Sequence, residues 1–189
     1  MAMPDRADVS CAGEMRRLGT FVTLGNRREP FQRLVDEVGR IALHLPQPVL
    51  LQSGHTPCER SGLKAVPFMP MQDFVSCIET AEIVIAQAGA GTILHAIQCG
   101  KVPVVVPRSF SYGESIDDHQ IELARELASG CRVIVVEHIH QLLDASAQSR
   151  RRQAEGTHYE PNARLLELVH QAIRRSTRGW RRRERRTEG

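Results

Sequence analysis

No apolar run in this chain approaches the roughly 20 residues that a membrane-spanning helix needs. Met1 to Glu14 has no apolar h-region, so it does not read as a secretory signal. The five cysteines, Cys11, Cys58, Cys77, Cys99 and Cys131, are scattered and odd in number, and none forms C-x-x-C. That spacing argues for reduced thiols in a cytosolic protein and against a cysteine metal centre. There is no Gly-Lys-Ser/Thr, which excludes a P-loop, and no Asp-x-Asp, so no metal is expected. Lysine is almost absent, at two residues against 23 arginines.

What remains is globular in composition. At 189 residues, 41% hydrophobic and 25% charged, the chain suits one domain with a buried core. The net charge of +3 hides an asymmetry. From Arg174 to Gly189 there are eight arginines against two glutamates, so the body is mildly acidic and the tail strongly basic. A basic cluster with one Trp can lie on an anionic membrane or serve as a solubilising tail; nucleic acid is the weaker reading.

The chain is organised around Glu82 to Arg108. Ile83 to Ala86 is a short apolar run, as in a strand buried on both faces. Gln87-Ala88-Gly89-Ala90-Gly91-Thr92 follows at once as a small-residue turn, then a helix to about Cys99 that Gly100 stops. Val102 to Val106 is the next strand. A helix N-terminus behind a glycine turn favours an anion such as phosphate; close helix–strand packing explains the same glycines without a ligand. Gly89 and Gly91 supply G-x-G, but Leu94 stands at the third glycine position, and the unit is mid-chain. Both features argue against a dinucleotide-binding oxidoreductase.

The rest alternates strand and helix. Residues 1–17 read as an unstructured extension, with Met15 as a candidate start. Leu18 to Leu24 is the first strand, with an exit loop through Gly25 and Asn26. A helix over Phe31 to Leu43, strands at Val49–Gln52 and Lys64–Pro67, and a helix over Met71–Thr80 follow. The Met71–Thr80 helix is expected to bury Met71, Phe74, Val75 and Ile78 together. After the central unit come a polar loop from Ser109 in which Glu114 reads as a solvated charge, a helix from Ile116 or Asp117 to Ala128, and a strand at Arg132–Val136. A short helix at Ile139–Ala145, a polar stretch from Ser146 to Gly156 and an amphipathic helix at Pro161–Arg175 complete the chain. The pattern predicts an α/β fold, a single Rossmann-like domain with a parallel sheet and helices on both faces. Its expected limits are 18–146, followed by a linker and helix over 147–175 and a basic tail over 176–189. The loops at Gly25, Gly89 and Ser109–Gln120 all leave carboxyl ends of strands and are expected to converge.

Three motifs resemble the C-terminal, nucleotide-sugar-binding domain of glycosyltransferase family 28, half of a GT-B fold. They are Phe-Val-Thr-Leu-Gly25 followed by Pro-Phe-Gln-Arg-Leu-Val; Gln87-Ala-Gly89-Ala-Gly91-Thr92-Ile-Leu; and Asp118-His119-Gln120 followed by Ile-Glu-Leu-Ala. The resemblance covers about Leu18 to Leu143. It implies an inverting, UDP-sugar-dependent hexosyltransferase with no cofactor. Gly25, Asn26, Gln87, Gly89, Ala90, Gly91, Thr92, His95, Asp118, His119 and Gln120 would bind the donor. Two departures stand out: Gln87 where the family usually has His, and His95 where an acidic residue usually takes the ribose hydroxyls. A neutral imidazole accepts only one hydrogen bond where a carboxylate accepts more.

The resemblance also implies a split enzyme. A membrane-associated partner would supply the acceptor-side domain and the general base, with a lipid-linked saccharide as acceptor. The chain would then sit in the cytoplasm against the inner face of the membrane. Such systems include the eukaryotic transferase that adds a second N-acetylglucosamine to dolichol-linked sugar, and bacterial pairs that extend capsular or exopolysaccharide units. The excess of arginine favours the bacterial kind. The alternative is a non-catalytic subunit that enhances a partner transferase.

Overall fold

The computed structural model describes residues 17–58, 63–115, 121, 124–125 and 133–156. Six parallel strands form one sheet: β1 (Leu18–Thr23), β2 (Val49–Gln52), β3 (Lys64–Val66), β4 (Ala81–Gln87), β5 (Val104–Val106) and β6 (Ile134–Val135). Their spatial order is β3-β2-β1-β4-β5-β6. The order reverses between β1 and β4, which pair from Leu18↔Ala81 to Thr23↔Ala86. Ligands of open parallel sheets bind at such a reversal, beyond the carboxyl ends of the strands.

The strands alternate their side chains between two apolar layers. Val22, Ile83, Ile85, Val104 and Val106 face α1 (Gln32–Ile41) and α4 (Leu142–Ala154), where Leu34, Val35, Val38 and Leu142 meet them. Phe21, Leu50 and Val84 face the other way, towards Cys77 and Ile78 of α2 (Met71–Thr80) and Ala96 of α3 (Ala90–Gln98). Helices therefore cover both faces, as expected, and the central strands read as continuous apolar runs because neither face is wet. Phe21 is fully buried and meets Phe74 edge-on at 5.5 Å, a contact worth about 0.5–1.5 kcal/mol beyond the buried area.

The central unit folds as its sequence implies. Ile93, Ala96 and Ile97 form the buried stripe of α3. Gly100, at φ +73°, ends the helix. Lys101 N–H donates to the Ala96 carbonyl and Gly100 N–H to that of Ile97, the paired bonds of a Schellman stop.

Four expectations are corrected. Met71, in the first turn of α2, is 74% exposed rather than buried; Ile78 is buried as expected, and Cys77 joins it from the last turns. The polar stretch from Ser146 to Gly156 is mostly helix: a 3-10 turn at Ile139–Gln141 leads into α4, which runs through the expected edge at residue 146 to Ala154. Its small serines make this possible. Ser149 is fully buried and donates to the Val102 carbonyl at 2.6 Å, and Ser146 donates to the Leu142 carbonyl. The fifth strand begins at Val104 rather than Val102, since Pro103 has no N–H for the ladder. The sixth strand is two residues rather than five. The residues before Arg17, the Asp118–Gln120 segment, the helix expected at Pro161–Arg175 and the basic tail lie outside the described residues. Of the helix expected between Ile116 and Ala128, positions 121, 124 and 125 are described and helical.

Candidate functional site

Four connections meet beyond the carboxyl ends of the strands, and a buried arginine holds three of them. Arg108 follows the apolar run of β5 and Pro107 directly, and its side chain is 1% exposed. Its Nε donates to Gln87 Oε1 at 2.6 Å, in the turn after β4. Its Nη2 donates to the Leu24 carbonyl and its Nη1 to that of Glu29, both in the loop after β1. Nη1 also reaches the Glu114 carbonyl in the loop after β5. Phe31 lies beneath the guanidinium at 4.6 Å, a cation–π contact. Burial pulls the Arg108 pKa down to about 10, opposed by the charge of Glu114, so it remains a cation at neutral pH.

The fourth connection joins through Gln52 at the end of β2. Gln52 Oε1 accepts from Thr23 Oγ1 at 2.6 Å, and Nε2 donates to the Pro67 carbonyl at 3.0 Å and weakly to that of Gly25. Gly25 has φ +70°, and a Cβ there would stand 1.7 Å from Gln87 Nε2. Only glycine lets the β1 loop and the β4 turn press together at the sheet's reversal.

Glu114 is 4% exposed, which corrects its reading as a solvated charge. Arg33 of α1 grips it with two parallel bonds, Nε to Oε1 at 2.9 Å and Nη2 to Oε2 at 2.8 Å. Glu114 Oε2 also accepts from Ser109 N–H, and Arg33 stacks near Tyr112. This fork-to-fork pair fixes the start of the loop that leads towards Asp118.

Two residues beyond Gln87, which Arg108 holds, lies the N-terminus of α3. Gly89 is its N-cap in an extended conformation, and no side chain caps the helix. Gly89 N–H turns back to the Gln87 carbonyl at 2.7 Å. Gly91 is exposed, and a Cβ built on it meets nothing within 4 Å. The first-turn N–H groups of Ala90, Gly91 and Thr92 belong to the positive end of the helix dipole, and the buried guanidinium of Arg108 bonds Gln87, two residues before the Gly89 N-cap. That arrangement can hold an anion.

The expected donor residues separate into groups. Gly25, Asn26, Gln87, Gly89, Ala90, Gly91 and Thr92 share this end of the sheet, with Asn26 exposed and Gln87 buried. The Gln87 carboxamide oxygen is occupied by Arg108. His95 is half-buried, and its Nε2 lies 3.7 Å from Cys99 Sγ, one turn towards the far end of α3. Burial raises the Cys99 pKa and the charge of Glu79 adds to that, so the sulfur beside the ring is held as a thiol at neutral pH. Asp118, His119 and Gln120 lie outside the described residues. Sequence reasoning overlooked Arg108, Arg33 and Gln52. The available signal was a charged residue set directly against a buried strand end.

Residues 28–171 match the glycosyltransferase family 28 C-terminal domain. A 55-residue segment is 44% identical to the UDP-N-acetylglucosamine transferase subunit ALG13 of Yarrowia lipolytica, spanning 29% of this chain and 26% of that protein. The fold is similar to that of the glycotransferase of kitacinnamycin, at a TM-score of 0.54 and 15% identity over 91% of this chain and 42% of that one. It is likewise similar to CalG4, the calicheamicin glycosyltransferase, at 0.51 and 16% over 86% and 40%. The chain thus spans less than half the length of either solved enzyme.

Proposed function

This chain belongs to the glycosyltransferase family 28 C-terminal domain family, and from that premise we propose that it is the donor-binding, catalytic half of a two-component glycosyltransferase. The single observation that carries the reading is the uncapped N-terminus of α3, open at Gly91 and led into by a turn that the buried Arg108 holds through Gln87, at the reversal of a Rossmann-like sheet. A departing nucleoside diphosphate develops charge as the sugar transfers. Fixed N–H groups and a nearby cation stabilise that charge without reorganising. The donor we propose is a UDP-sugar, in keeping with the name of the similar yeast subunit, and the transfer proceeds with inversion.

The acceptor is a lipid-linked saccharide of a polysaccharide pathway, brought by a membrane-associated partner. That partner also provides the general base, since Glu114, the buried carboxylate of the loop after β5, is locked by Arg33. Among the described residues no helix is long and apolar enough to cross a membrane, so contact with the bilayer falls to the partner and to the arginine tail. A second reading, a non-catalytic subunit that enhances its partner, is favoured by Gln87 and His95. Both are engaged inside this chain, with Arg108 and Cys99, rather than turned to a donor.

Gly89→Asp separates folding from binding. A Cβ at Gly89 meets Gln87 only at ordinary contact distance, 3.7 Å, and its backbone suits any residue. Asp is a preferred N-cap, so the variant is expected to melt at or above the wild-type temperature. Its carboxylate would also occupy the anion position, and UDP and UDP-sugar binding by calorimetry should be lost. UDP binding that survives in Gly89→Asp removes the α3 N-terminus from the site. No UDP binding by the wild type, even with a partner present, leaves the accessory reading. Binding of NAD instead would place the chain in another class.

A further inference from the structure

The far end of α3 carries a second group of chemically capable side chains. His95 and Cys99 are four residues apart, on one face of the helix. Glu79, in the last turn of α2, comes against them. One nitrogen, one sulfur and one carboxylate oxygen all lie within 4.8 Å of one another. We infer that Glu79, His95 and Cys99 form a binding site for one thiophilic divalent cation, zinc being the best fit. The inference does not depend on the donor-binding reading, since the cluster sits at the opposite end of α3 from the glycine turn.

The geometry suits a tetrahedral ion. Zinc bonds of about 2.3 Å to sulfur and 2.0–2.1 Å to nitrogen, at a tetrahedral angle, place the two ligand atoms about 3.6 Å apart. Cys99 Sγ and His95 Nε2 are 3.7 Å apart. The ligand set selects the metal: magnesium and calcium demand oxygen, whereas thiolate with imidazole favours zinc. A thiolate and a carboxylate balance the two charges of the dication. Three protein ligands leave a fourth position for water. On binding, the thiol proton passes to solvent as the sulfur–metal bond forms.

The elements hold the ligands in place without the ion. Cys99 caps α3, its N–H donating to the His95 carbonyl at 3.0 Å, and Gly100 fixes the stop behind it. Lys101 Nζ reaches back to the Ala81 carbonyl at 2.7 Å, just beyond the last turn of α2, and so ties the two helix ends. An ion there would act as a clip between α2 and α3. It would also claim His95, so that ribose recognition would fall to other residues of the cleft.

Cobalt(II) is the probe. The full chain is stripped of metal and titrated with cobalt under reducing conditions. One equivalent should produce a thiolate-to-cobalt charge-transfer band with the strong visible absorption of a tetrahedral site, and zinc should displace it. Cys99→Ser should abolish the charge-transfer band while leaving the metal-free fold unchanged by circular dichroism. Glu79→Gln, at an exposed position, should weaken cobalt affinity by about 100-fold or more, at or beyond the top of the about 10–100-fold that loss of a mere supporting partner brings. No saturable band overturns the site, and so does a band that persists in Cys99→Ser, because another thiol then holds the metal. If Cys99→Ser fails to fold, unchanged cobalt affinity in Glu79→Gln and His95→Ala overturns it equally.

Discussion

The two ends of the sheet use buried polar groups in different ways. At the amino ends of the strands, each polar side chain closes one local gap. Thr20 Oγ1 donates to the Pro46 carbonyl, Lys101 Nζ to that of Ala81 and Ser149 Oγ to that of Val102. Gln153 accepts from Val102 N–H and donates to the Glu82 carbonyl. These are separate bonds between neighbouring elements, each worth about 1 kcal/mol. At the carboxyl ends, Arg108 and Gln52 join four connections into one network, and the nearby helix N-terminus is left uncapped. The contrast separates closure from positioning. One end seals the domain, and the other holds loops at fixed spacing around an open site.

The comparison breaks most directly at Arg108. Arg108→Met leaves the acceptors at Leu24, Glu29, Gln87 and Glu114 without their donor, though it also relieves the cost of burying a charge. The net loss in urea denaturation should be about 3 kcal/mol, and UDP binding should fall with it. If stability drops and binding does not, the clasp serves folding alone.

Ser149→Ala sharpens the contrast from the other end. It orphans the Val102 carbonyl and should cost about 1 kcal/mol, with UDP affinity unchanged by calorimetry. A parallel loss of binding would mean that the two ends are coupled through β5.

The smallest effect belongs to Glu37, which lies away from both ends. The bond from Arg40 holds its carboxyl below the ordinary value of 4.5, against the opposing effect of burial. A lowered carboxylate pKa adds stability that is fully present above pH 4.5 and is lost as pH falls through the folded value. The thermal stability of wild type and Glu37→Gln should therefore differ near neutral pH and converge in acid. A constant difference across that range would show that the pair contributes through packing instead.

Much of the fold was legible along the chain because parallel strands buried on both faces write themselves as short apolar runs. Ile83–Ala86, Val49–Gln52 and the stripe of α3 carry their periodicity locally. α4 was not legible, because its buried positions include Ser146 and Ser149, which pattern reasoning reads as solvent-facing. Glu114 misled for a similar reason. A carboxylate in a glycine-containing loop looks solvated until α1 brings Arg33 to it across 81 residues.

By itself the sequence determined the layering, the glycine turn between β4 and α3, and the helix stop at Gly100, since each follows from backbone freedom or apolar spacing within a few residues. Only the tertiary structure decided which polar groups are buried and with whom. Arg108 reaches carbonyls 79 and 84 residues away, and Gly25 is fixed as glycine by Gln87, 62 positions along the chain. The physical reason is that a buried charge or amide needs partners wherever the fold can bring them, and separation along the chain says nothing about which ones arrive.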